Sequence, residues 1–539
     1  MFGKNQNRIF LLGANAALVL FLIVSSNLNI LPMGMGDFIF FAILALALAL
    51  YRPGWAFLFF AGTIMLENIN LAPAEIGIAV RPYQFFGGVT ILALLIRLST
   101  KRLDFKLARP VWPDYLVIIL TLAGFLSAIG SSSRGVSLKQ SIVLASFAVL
   151  YFLTRNFLQT SGDMKKIIPF FLSSSAVMMV YGAWQNVRFA QGLSNFEVMP
   201  GRPNATFTEA DWLGIFLVML IALVYSLIYY FSRNGNNLDS PSILNFKFLI
   251  LKQFSITKFL IFQTFLYALL VATYVLLILT VSRSAWLGAL GVTFIFLFVI
   301  FTHLKIKPAN WRWKETFKLK IGILTALVVS IASVYFFQLT TFQLGNRVQS
   351  TGSGLQKITV SCGQQEKFDG SETLDLESLE KIGCRHIDLE DIDTEKAEGN
   401  FVTEVYRADP NISIRSVIYV KSWNLIKAHP LLGIGWGSIS GYLGTDERGA
   451  GLNASNIFLE IWLGSGLLGL LSFVMLLVII LIRALQSFMQ ADRERKTVGL
   501  FLLLGFFAIL IPNLFNSGIM LGYLWLFLGA ALVDNKIKK

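Results

Sequence analysis

Three arginines stand beside apolar segments in widely separated parts of the sequence: Arg202, Arg283 and Arg415. An arginine side chain stays charged and can place two N–H groups on the oxygens of one phosphate. Arg415 would also lie near the start of a helix, where free backbone amides favour an anion. Three such groups at one place would suit a diphosphate. As alternatives, Arg283 would only anchor a helix at lipid headgroups, and Arg202 would be an ordinary solvated side chain.

A second group of polar residues stands at the entrance to an apolar run, in the stretch LNASNIFLEIWLGSGLLGLL at 452–471. Asn453, Ser455 and Asn456 come first, and Glu460 follows one turn later. An ionisable side chain just inside a membrane boundary is usually functional, although a carboxylate reaching back to the interface would show the same spacing. We expect these residues to face the substrate that the arginines bind.

The segments that must position these residues are strongly apolar. Charged residues make up 14% of the 539, whereas a soluble domain has about a quarter. Stretches long enough for one bilayer crossing recur along the chain. They lie near 9–29, 37–51, 54–69, 82–98, 113–131, 140–156, 166–186, 210–231, 258–280, 285–303, 320–338, 456–482, 498–515 and 518–533. The sequence therefore predicts an all-α polytopic membrane protein with 12–14 transmembrane helices, where the pairs at 37–69 and 498–533 set the range.

Basic residues collect in alternate loops, from Lys4 at one end to Lys536, Lys538 and Lys539 at the other. Because Lys and Arg are retained on the cytoplasmic side, both termini are predicted to be cytoplasmic. The net charge of +14 then reflects topology. A nucleic-acid partner is not predicted, since the charges are scattered over many loops.

One large loop, at 339–455, is predicted to be extracytoplasmic. Its acidic insert, residues 366–409, holds 14 of the chain's 31 acidic residues and is interpreted as a solvated segment. Cys362 and Cys384 flank part of the insert and are candidates for a disulfide, because that side of the membrane is oxidising. Two free thiols are the alternative.

Ser413 is predicted to cap an interfacial helix at 413–429, which Pro430 ends. The chain then divides into N-terminal helices at 1–199, helices with the arginine motifs at 200–338, the loop at 339–455 and C-terminal helices at 456–539. The sequence shows no spacing typical of a zinc site, an EF-hand or a nucleotide-binding loop, so no metal ion or cofactor is predicted.

Three motifs together resemble the O-antigen ligase and polymerase superfamily. They are His429-Pro430-Leu431-Leu432-Gly433-Ile434-Gly435-Trp436-Gly437 with Asn456 beyond it, Thr280-Val281-Ser282-Arg283-Ser284-Ala285-Trp286-Leu287-Gly288, and Arg202-Pro203-Asn204-Ala205-Thr206-Phe207 with Asp211 beyond it. The resemblance covers residues 200–480. It implies an enzyme of the bacterial plasma (inner) membrane that transfers a glycan from a polyprenyl-diphosphate-linked oligosaccharide to an acceptor hydroxyl on the outer face. It also implies no metal ion or other cofactor, with a flippase and a chain-length regulator as partners.

The sequence departs from the family's pattern at the expected base. Family ligases carry a His-Asn pair where this chain has Ser455-Asn456, and the family usually has Asn where Asp211 stands. Serine cannot act as a base near neutral pH unless another group takes its proton. The remaining candidates are Glu460, Glu209 with Asp211, and His429, whose place before Pro430 is also typical of a structural residue. A fourth option is that leaving-group departure needs no strong base.

The missing histidine favours a polymerase that joins lipid-linked repeat units of O-antigen, capsule or exopolysaccharide. A ligase that moves the finished glycan to lipid A core or another acceptor is the first alternative. A flippase for lipid-linked oligosaccharides is the second, although the two halves show no internal repeat of the kind that transporters often have.

Overall fold

The protein is mostly helical. Its structure, a computed structural model, describes residues 6–533 apart from 104, 195, 200, 233–254, 305–312, 341–354, 364–378, 380, 388–391, 409, 446–448, 450 and 491. The topology signals Lys4, Lys536, Lys538 and Lys539, and much of the acidic insert, lie outside the described residues. The chain divides into a helical unit, residues 1–339 with 428–539, and a small unit, residues 340–427.

Seventeen α-helices are found in the described part of the chain. They are α1 Gln6–Asn27, α2 Met35–Tyr51, α3 Pro53–Gly62, α4 Pro82–Ser99, α5 Trp112–Gly130, α6 Arg134–Phe157, α7 Ser161–Ala190, α8 Ala210–Ser232, α9 Ser255–Leu279, α10 Arg283–Thr302, α11 Trp313–Phe336, α12 Ile392–Ala397, α13 Pro410–Ala428, α14 Ile439–Leu443, α15 Ile457–Met489, α16 Arg493–Asn513 and α17 Gly522–Ala531.

Eleven of the described helices are long and apolar enough to cross a membrane. Three further apolar helices, α2, α3 and α17, are shorter. At ~1.5 Å per residue, α3 and α17 reach only about 15 Å, half of the hydrocarbon thickness, and nearly all their residues are buried. The prediction of a helical polytopic membrane protein is confirmed. The short helices fall in the two pairs of spans, 37–69 and 498–533, that set the predicted range.

The core of the helical unit forms around α8. This helix is apolar on every side and 94% of its span is buried, as expected for a helix with no polar face. It packs against α9, α10 and α16, while α15 packs against α5 and α16.

One face of the helical unit, here called the loop face, carries the loops at 28–34, 63–81, 131–133, 191–209, 280–282 and 514–521. Backbone hydrogen bonds join several of these loops. Met33 N donates to the carbonyl oxygen of Leu71 at 3.2 Å, and Asn68 N donates to that of Thr206 at 2.8 Å. The loops at 28–34, 63–81 and 191–209 are therefore joined into one connected surface.

A buried carboxylate–arginine–tyrosine group, the loop-face triad, holds the start of α17. One carboxylate oxygen of Glu67 accepts from Gly522 N at 2.7 Å, and the other accepts from the Tyr83 hydroxyl at 2.9 Å. Arg81 Nε lies 3.2 Å from that second oxygen and forms an ion pair with it. The Glu67 side chain is 1% exposed.

A second group of the same composition, the opposite-face triad, holds the other end of α17. Arg155 lies 3.2 Å from the carboxylate of Asp114, which also accepts from the Tyr151 hydroxyl. Arg155 donates in addition to the carbonyl oxygen of Leu532 at 2.9 Å. A short helix that cannot cross a bilayer alone is thus fixed at both termini.

The small unit contains a three-stranded antiparallel sheet in the order β2-β1-β3, with β1 Leu355–Cys362, β2 Cys384–His386 and β3 Phe401–Ala408. Cys362 and Cys384 are opposite each other in the register and are joined by a disulfide. Alternate β1 residues Ile358, Val360 and Cys362 are buried in its core, as the period of a strand requires. The sheet was not predicted.

Two boundaries differ from the sequence analysis. The helix predicted at 413–429 begins at Pro410, so Ser413 lies inside it and the prediction that Ser413 caps it is wrong. Proline at the first helical position explains the earlier start, because its fixed φ suits a helix and its missing N–H is not needed there. The loop predicted at 339–455 also divides, since residues 428–455 belong to the helical unit.

Candidate functional site

The loop that carries Arg202 packs on the turn that precedes Arg283. Arg202 Nε donates to the carbonyl oxygen of Thr280 at 2.9 Å, and a terminal guanidinium nitrogen of Arg202 lies 3.3 Å from a carboxylate oxygen of Asp211. Arg283 is the first residue of α10, three residues after Thr280. Two of the predicted phosphate-binding arginines therefore lie on segments in direct contact.

Both segments contain a non-glycine residue with a left-handed backbone. Ala205 has a φ of 48° and Val281 a φ of 52°, which is rare for alanine and a clear outlier for a β-branched residue. Ala205 is held there by its N–H, which donates to Gln185 Oε1 at 2.7 Å. Such strain costs about 1–3 kcal/mol and persists only where the surroundings enforce it. The two arginine motifs are thus rigidly shaped.

A segment that the sequence analysis did not single out, residues 514–521, completes this part of the loop face. Asn516 Nδ2 donates to the hydroxyl of Ser284, the residue after Arg283, at 2.8 Å. The loop is closed by Gly518 N, which donates to Asn513 Oδ1 at 2.7 Å. The available signal was the short cluster Asn516-Ser517-Gly518 between two apolar segments, which indicates a loop but not the residues that the loop contacts.

The polar residues at 453–460 organise the start of α15. Asn456 is the N-cap, and its Oδ1 accepts from Phe458 N at 2.9 Å and from Leu459 N at 3.2 Å. This is the usual way in which an asparagine satisfies free amides at a helix start. Asn456 Nδ2 also donates to the carbonyl oxygen of Leu514 at 3.0 Å, so the cap is tied to the segment that carries Asn516.

The other polar groups of this stretch bind its own backbone. Glu460 accepts from Ala454 N at 2.6 Å, and Asn453 Oδ1 accepts from Ser455 N at 2.8 Å. Ser455 has a φ of 49°, the third such residue next to a predicted motif. Much of the polar character of the stretch is therefore explained by the shape of the loop before α15.

Helix α15 is broken at Gly466, which has a φ of 65° inside the helix. The backbone of residues 430–435 replaces the missing helical hydrogen bonds. Ile434 N donates to the carbonyl oxygen of Leu463 at 2.7 Å, and Leu467 N donates to that of Leu431 at 3.1 Å. A Cβ atom at Gly466 would overlap the Leu431 carbonyl, so the close approach requires glycine there.

The Gly-rich motif at 433–437 is therefore a packing device. Trp436 is buried, donates to Ser465 Oγ at 2.8 Å and lies over Gly464 and against Gly124 of α5. Ser438 adds a hydroxyl contact with Ser131. The motif joins α15 to α5 and to the turn before α6.

The remaining predicted residues are spread out. His429 is exposed and follows α13 directly, just before residues 430–435, which pack into the break in α15. Glu209 immediately precedes α8, and its carbonyl oxygen accepts from Leu213 N. Arg415 is a half-buried residue of α13 in the small unit, with Tyr419 close to it. The structure brings together Arg202, Asp211, the Arg283 turn and Asn456, the last through Asn516 and its loop.

The loop face favours anions for a second reason. Helices α8, α10, α15 and α17 all begin on it, and each helix start carries a partial positive charge. With Arg202 and Arg283 on contacting segments, the field would attract a phosphate group. Among the residues described, no cluster of three His, Cys, Asp or Glu side chains is placed to hold a metal ion.

Comparison with known proteins assigns part of the chain to a family. The family model described as O-antigen ligase matches residues 266–474, and neither a curated protein nor a solved structure matches the sequence. The matched range contains Arg283, Arg415 and the stretch at 453–460 but neither Arg202 nor Asn516. It supports glycosyl transfer of the O-antigen ligase/polymerase type by a multi-pass membrane protein. Residues 266–474, which are less than half of the chain, are therefore similar to the O-antigen ligase/polymerase superfamily, and the match supports that family.

Proposed function

We propose that the loop face binds the diphosphate of a polyprenyl-linked oligosaccharide and transfers the saccharide to an acceptor hydroxyl, joining repeat units of a surface polysaccharide. The observation that carries this proposal is the contact between the Arg202 loop and the turn before Arg283. It brings together the two segments that carry these permanently charged residues, on a face where four helices begin. The reaction is placed on the extracytoplasmic face of a bacterial plasma membrane, where a flippase would deliver the donor.

In this reaction the bond between the sugar carbon and the phosphate oxygen breaks, and a bond from that carbon to the acceptor oxygen forms. Negative charge grows on the departing diphosphate, so fixed cations at that position lower the barrier. We assign this role to Arg202 and Arg283, with Arg415 as a third contributor predicted from sequence. The proposal needs no metal ion or other cofactor for charge neutralisation.

Among the candidate bases the geometry favours Asp211. Its carboxylate lies 3.3 Å from the Arg202 guanidinium, beside the place where a phosphate would bind. It would orient the arginine and accept the acceptor's proton. Glu460 is engaged with the Ala454 amide, and His429 stands beside the break in α15, so both are weaker candidates.

A polymerase is preferred to a ligase because Ser455 stands where family ligases carry the histidine base. Ligation of the finished glycan to lipid A core or another acceptor is the second candidate, favoured by the O-antigen ligase description of the matched family. The two reactions share the donor and differ only in the acceptor. The size of the saccharide left on the carrier distinguishes them.

The test is the saccharide on the lipid carrier in cells that carry Arg202→Ala, Arg283→Ala or Arg415→Ala. Loss of one charge-stabilising group should reduce transfer about 10²–10³-fold, so single repeat units accumulate and surface polymer disappears. Arg483→Ala is the matched control, because Arg483 also binds a backbone carbonyl, that of Leu532 at 3.2 Å, but away from the loop face.

Long chains that stay on the carrier would show a ligase instead of a polymerase. Single units confined to the cytoplasmic leaflet would show a transporter. A wild-type pattern in all three arginine variants would overturn the proposed diphosphate site.

A further inference from the structure

We propose that Glu67 is a positioning residue of the loop face, whose buried carboxylate fixes the Arg202 loop and the 514–521 loop relative to each other. It lies outside the residues that match the family and far from both loops in sequence. The consequence for catalysis rests on the proposed function, whereas the positioning itself does not.

The carboxylate of Glu67 binds the start of α17. Its Oε1 accepts from Gly522 N at 2.7 Å, and Gly522 follows directly after the 514–521 loop. Since Asn516 and Leu514 of that loop bind Ser284 and Asn456, the anchor holds both the Arg283 turn and the start of α15.

The backbone around Glu67 binds the Arg202 loop. Glu67 N and Asn68 N both donate to the carbonyl oxygen of Thr206, at 2.9 and 2.8 Å. The hydroxyl of Thr206 donates in return to the carbonyl oxygen of Met65 at 2.7 Å. Thr206 lies four residues after Arg202, so this three-bond contact fixes one end of the arginine motif.

Arg81 links the two halves of this arrangement. Its Nε lies 2.9 Å from the carbonyl oxygen and 3.2 Å from the carboxylate oxygen Oε2 of Glu67. The backbone that binds Thr206 and the side chain that binds Gly522 are therefore held by one guanidinium. A shift of either loop must disturb both.

A buried ion pair is a poor way to gain stability, because apolar residues of the same shape often serve as well. Unlike apolar packing, the Glu67 carboxylate fixes the direction of its contacts, because each of its two oxygens accepts from a particular donor. Misplacement of catalytic groups by about 1 Å can lower a rate by on the order of 10²-fold. We therefore expect the effect of Glu67 on transfer to exceed its effect on folding.

The test uses Glu67→Gln in the purified full-length protein. A glutamine has one acceptor oxygen and one donor nitrogen, so it cannot accept both from Gly522 N and from the Tyr83 hydroxyl, and it has no charge to pair with Arg81. We expect amide hydrogen exchange at 204–207 and 518–522 to rise at least about tenfold. Transfer should fall on the order of 10²-fold, mainly in kcat.

Asp114→Asn is the matched control, because it makes the same chemical change in the opposite-face triad. It should lower the melting temperature comparably but leave exchange in both loops, and transfer by the folded fraction, as in the wild type. Wild-type exchange at both loops in Glu67→Gln, or an equal rise in Asp114→Asn, would overturn the positioning role.

If Glu67→Gln does not fold, Tyr83→Phe removes only the hydroxyl that donates to Oε2, with Tyr151→Phe as its control. A smaller rise in exchange at both loops is expected, and unchanged exchange would contradict the proposal. If the wild-type protein transfers no saccharide, the proposed function fails, while the exchange data still decide the role of Glu67.

Discussion

The loop-face triad and the opposite-face triad contain the same three kinds of side chain, a carboxylate, an arginine and a tyrosine, in two environments. Both are buried carboxylate–arginine–tyrosine groups, and each binds one end of α17. The opposite-face triad joins only helix ends and is the more enclosed, with Arg155 7% exposed against 25% for Arg81. The loop-face triad instead binds irregular backbone at Thr206 and Gly522. The opposite-face triad thus holds helix ends together, whereas the loop-face triad fixes the positions of loops.

The two triads therefore allow the effect of a substitution on the folded fraction to be separated from its effect on the activity of the folded protein. A group that joins helix ends affects how much protein is folded. A group that joins loops affects, in addition, where the side chains of those loops lie once the protein is folded. Paired substitutions should therefore lower the stability of the protein in both triads, whereas only those in the loop-face triad should lower the activity of the folded protein.

The largest expected effect follows removal of each arginine. Arg155→Ala leaves the buried carboxylate of Asp114 without its paired cation, removes one donor to the Leu532 carbonyl and should cost about 3–5 kcal/mol. Arg81→Ala should cost less, about 1–3 kcal/mol, because partial exposure lets water compensate. Denaturant titration in detergent measures both. Per folded molecule, Arg81→Ala should lose transfer and Arg155→Ala should keep it; equal activity in the two would mean that the triads are equivalent.

An intermediate effect is expected from two glycines. A Cβ at Gly466 would overlap the Leu431 carbonyl and sit on a left-handed backbone, whereas a Cβ at Gly499 would overlap the backbone of Phe488 on an ordinary helix. Gly466→Ala should cost about 2–4 kcal/mol and Gly499→Ala about 1–3 kcal/mol.

The same titration measures both glycine variants. Transfer by the folded fraction should fall only in Gly466→Ala, because Gly466 lies in the part of α15 that begins at the loop face, whereas Gly499 lies beside the far end of α15 at Phe488. A loss confined to Gly499→Ala would place the functional surface at the opposite face.

The smallest effect concerns pH at the loop face. Burial raises the pKa of Glu197 to about 7, although the hydrogen bond that its carboxylate accepts from Gly201 N acts to lower that pKa. Because folding raises the pKa of this carboxyl, its charged form destabilises the folded state. This penalty is full above pH 7 and disappears as the pH falls through 7 towards the ordinary value near 4.5.

The melting temperature should therefore rise by about 1–2 °C between pH 8 and pH 6, a small change since Glu197 is half-exposed and screened. Glu197→Gln should lack this part of the pH dependence. A wild-type profile in that variant would show that the titrating group lies elsewhere.

Hydropathy was sufficient to locate the helices, because a bilayer crossing needs a run of apolar residues that the sequence shows directly. Ser413 shows the limit for boundaries, since a cap signal was outweighed by Pro410 three residues earlier. The sheet of the small unit was missed although Ile358, Val360 and Cys362 alternate, because the acidic composition around them suggested a solvated segment.

The sequence predicted the site residues that belong to a motif with a charged side chain. It did not predict those whose role depends on contacts with the backbone of distant segments. Arg202 and Arg283 were predicted as site residues because they are arginines beside apolar segments, and the structure shows that their segments are in contact. Glu67 and Asn516 were missed, since their roles come from contacts with Thr206, Gly522 and Ser284 that no local spacing encodes. The glycines at 433–437 were noted only as part of a family motif, and their packing against α15 at its break was not predicted.

The break at Gly466 also changes how α15 can be threaded through a membrane. Residues 467–489 alone reach about 35 Å at ~1.5 Å per residue, which exceeds the ~30 Å hydrocarbon layer. The first ten residues of the helix need not contribute to the crossing at all. Insertion machinery could accept the second part as a complete anchor and leave Glu460 and its neighbours in the headgroup layer, so that these polar groups never incur the cost of entering hydrocarbon.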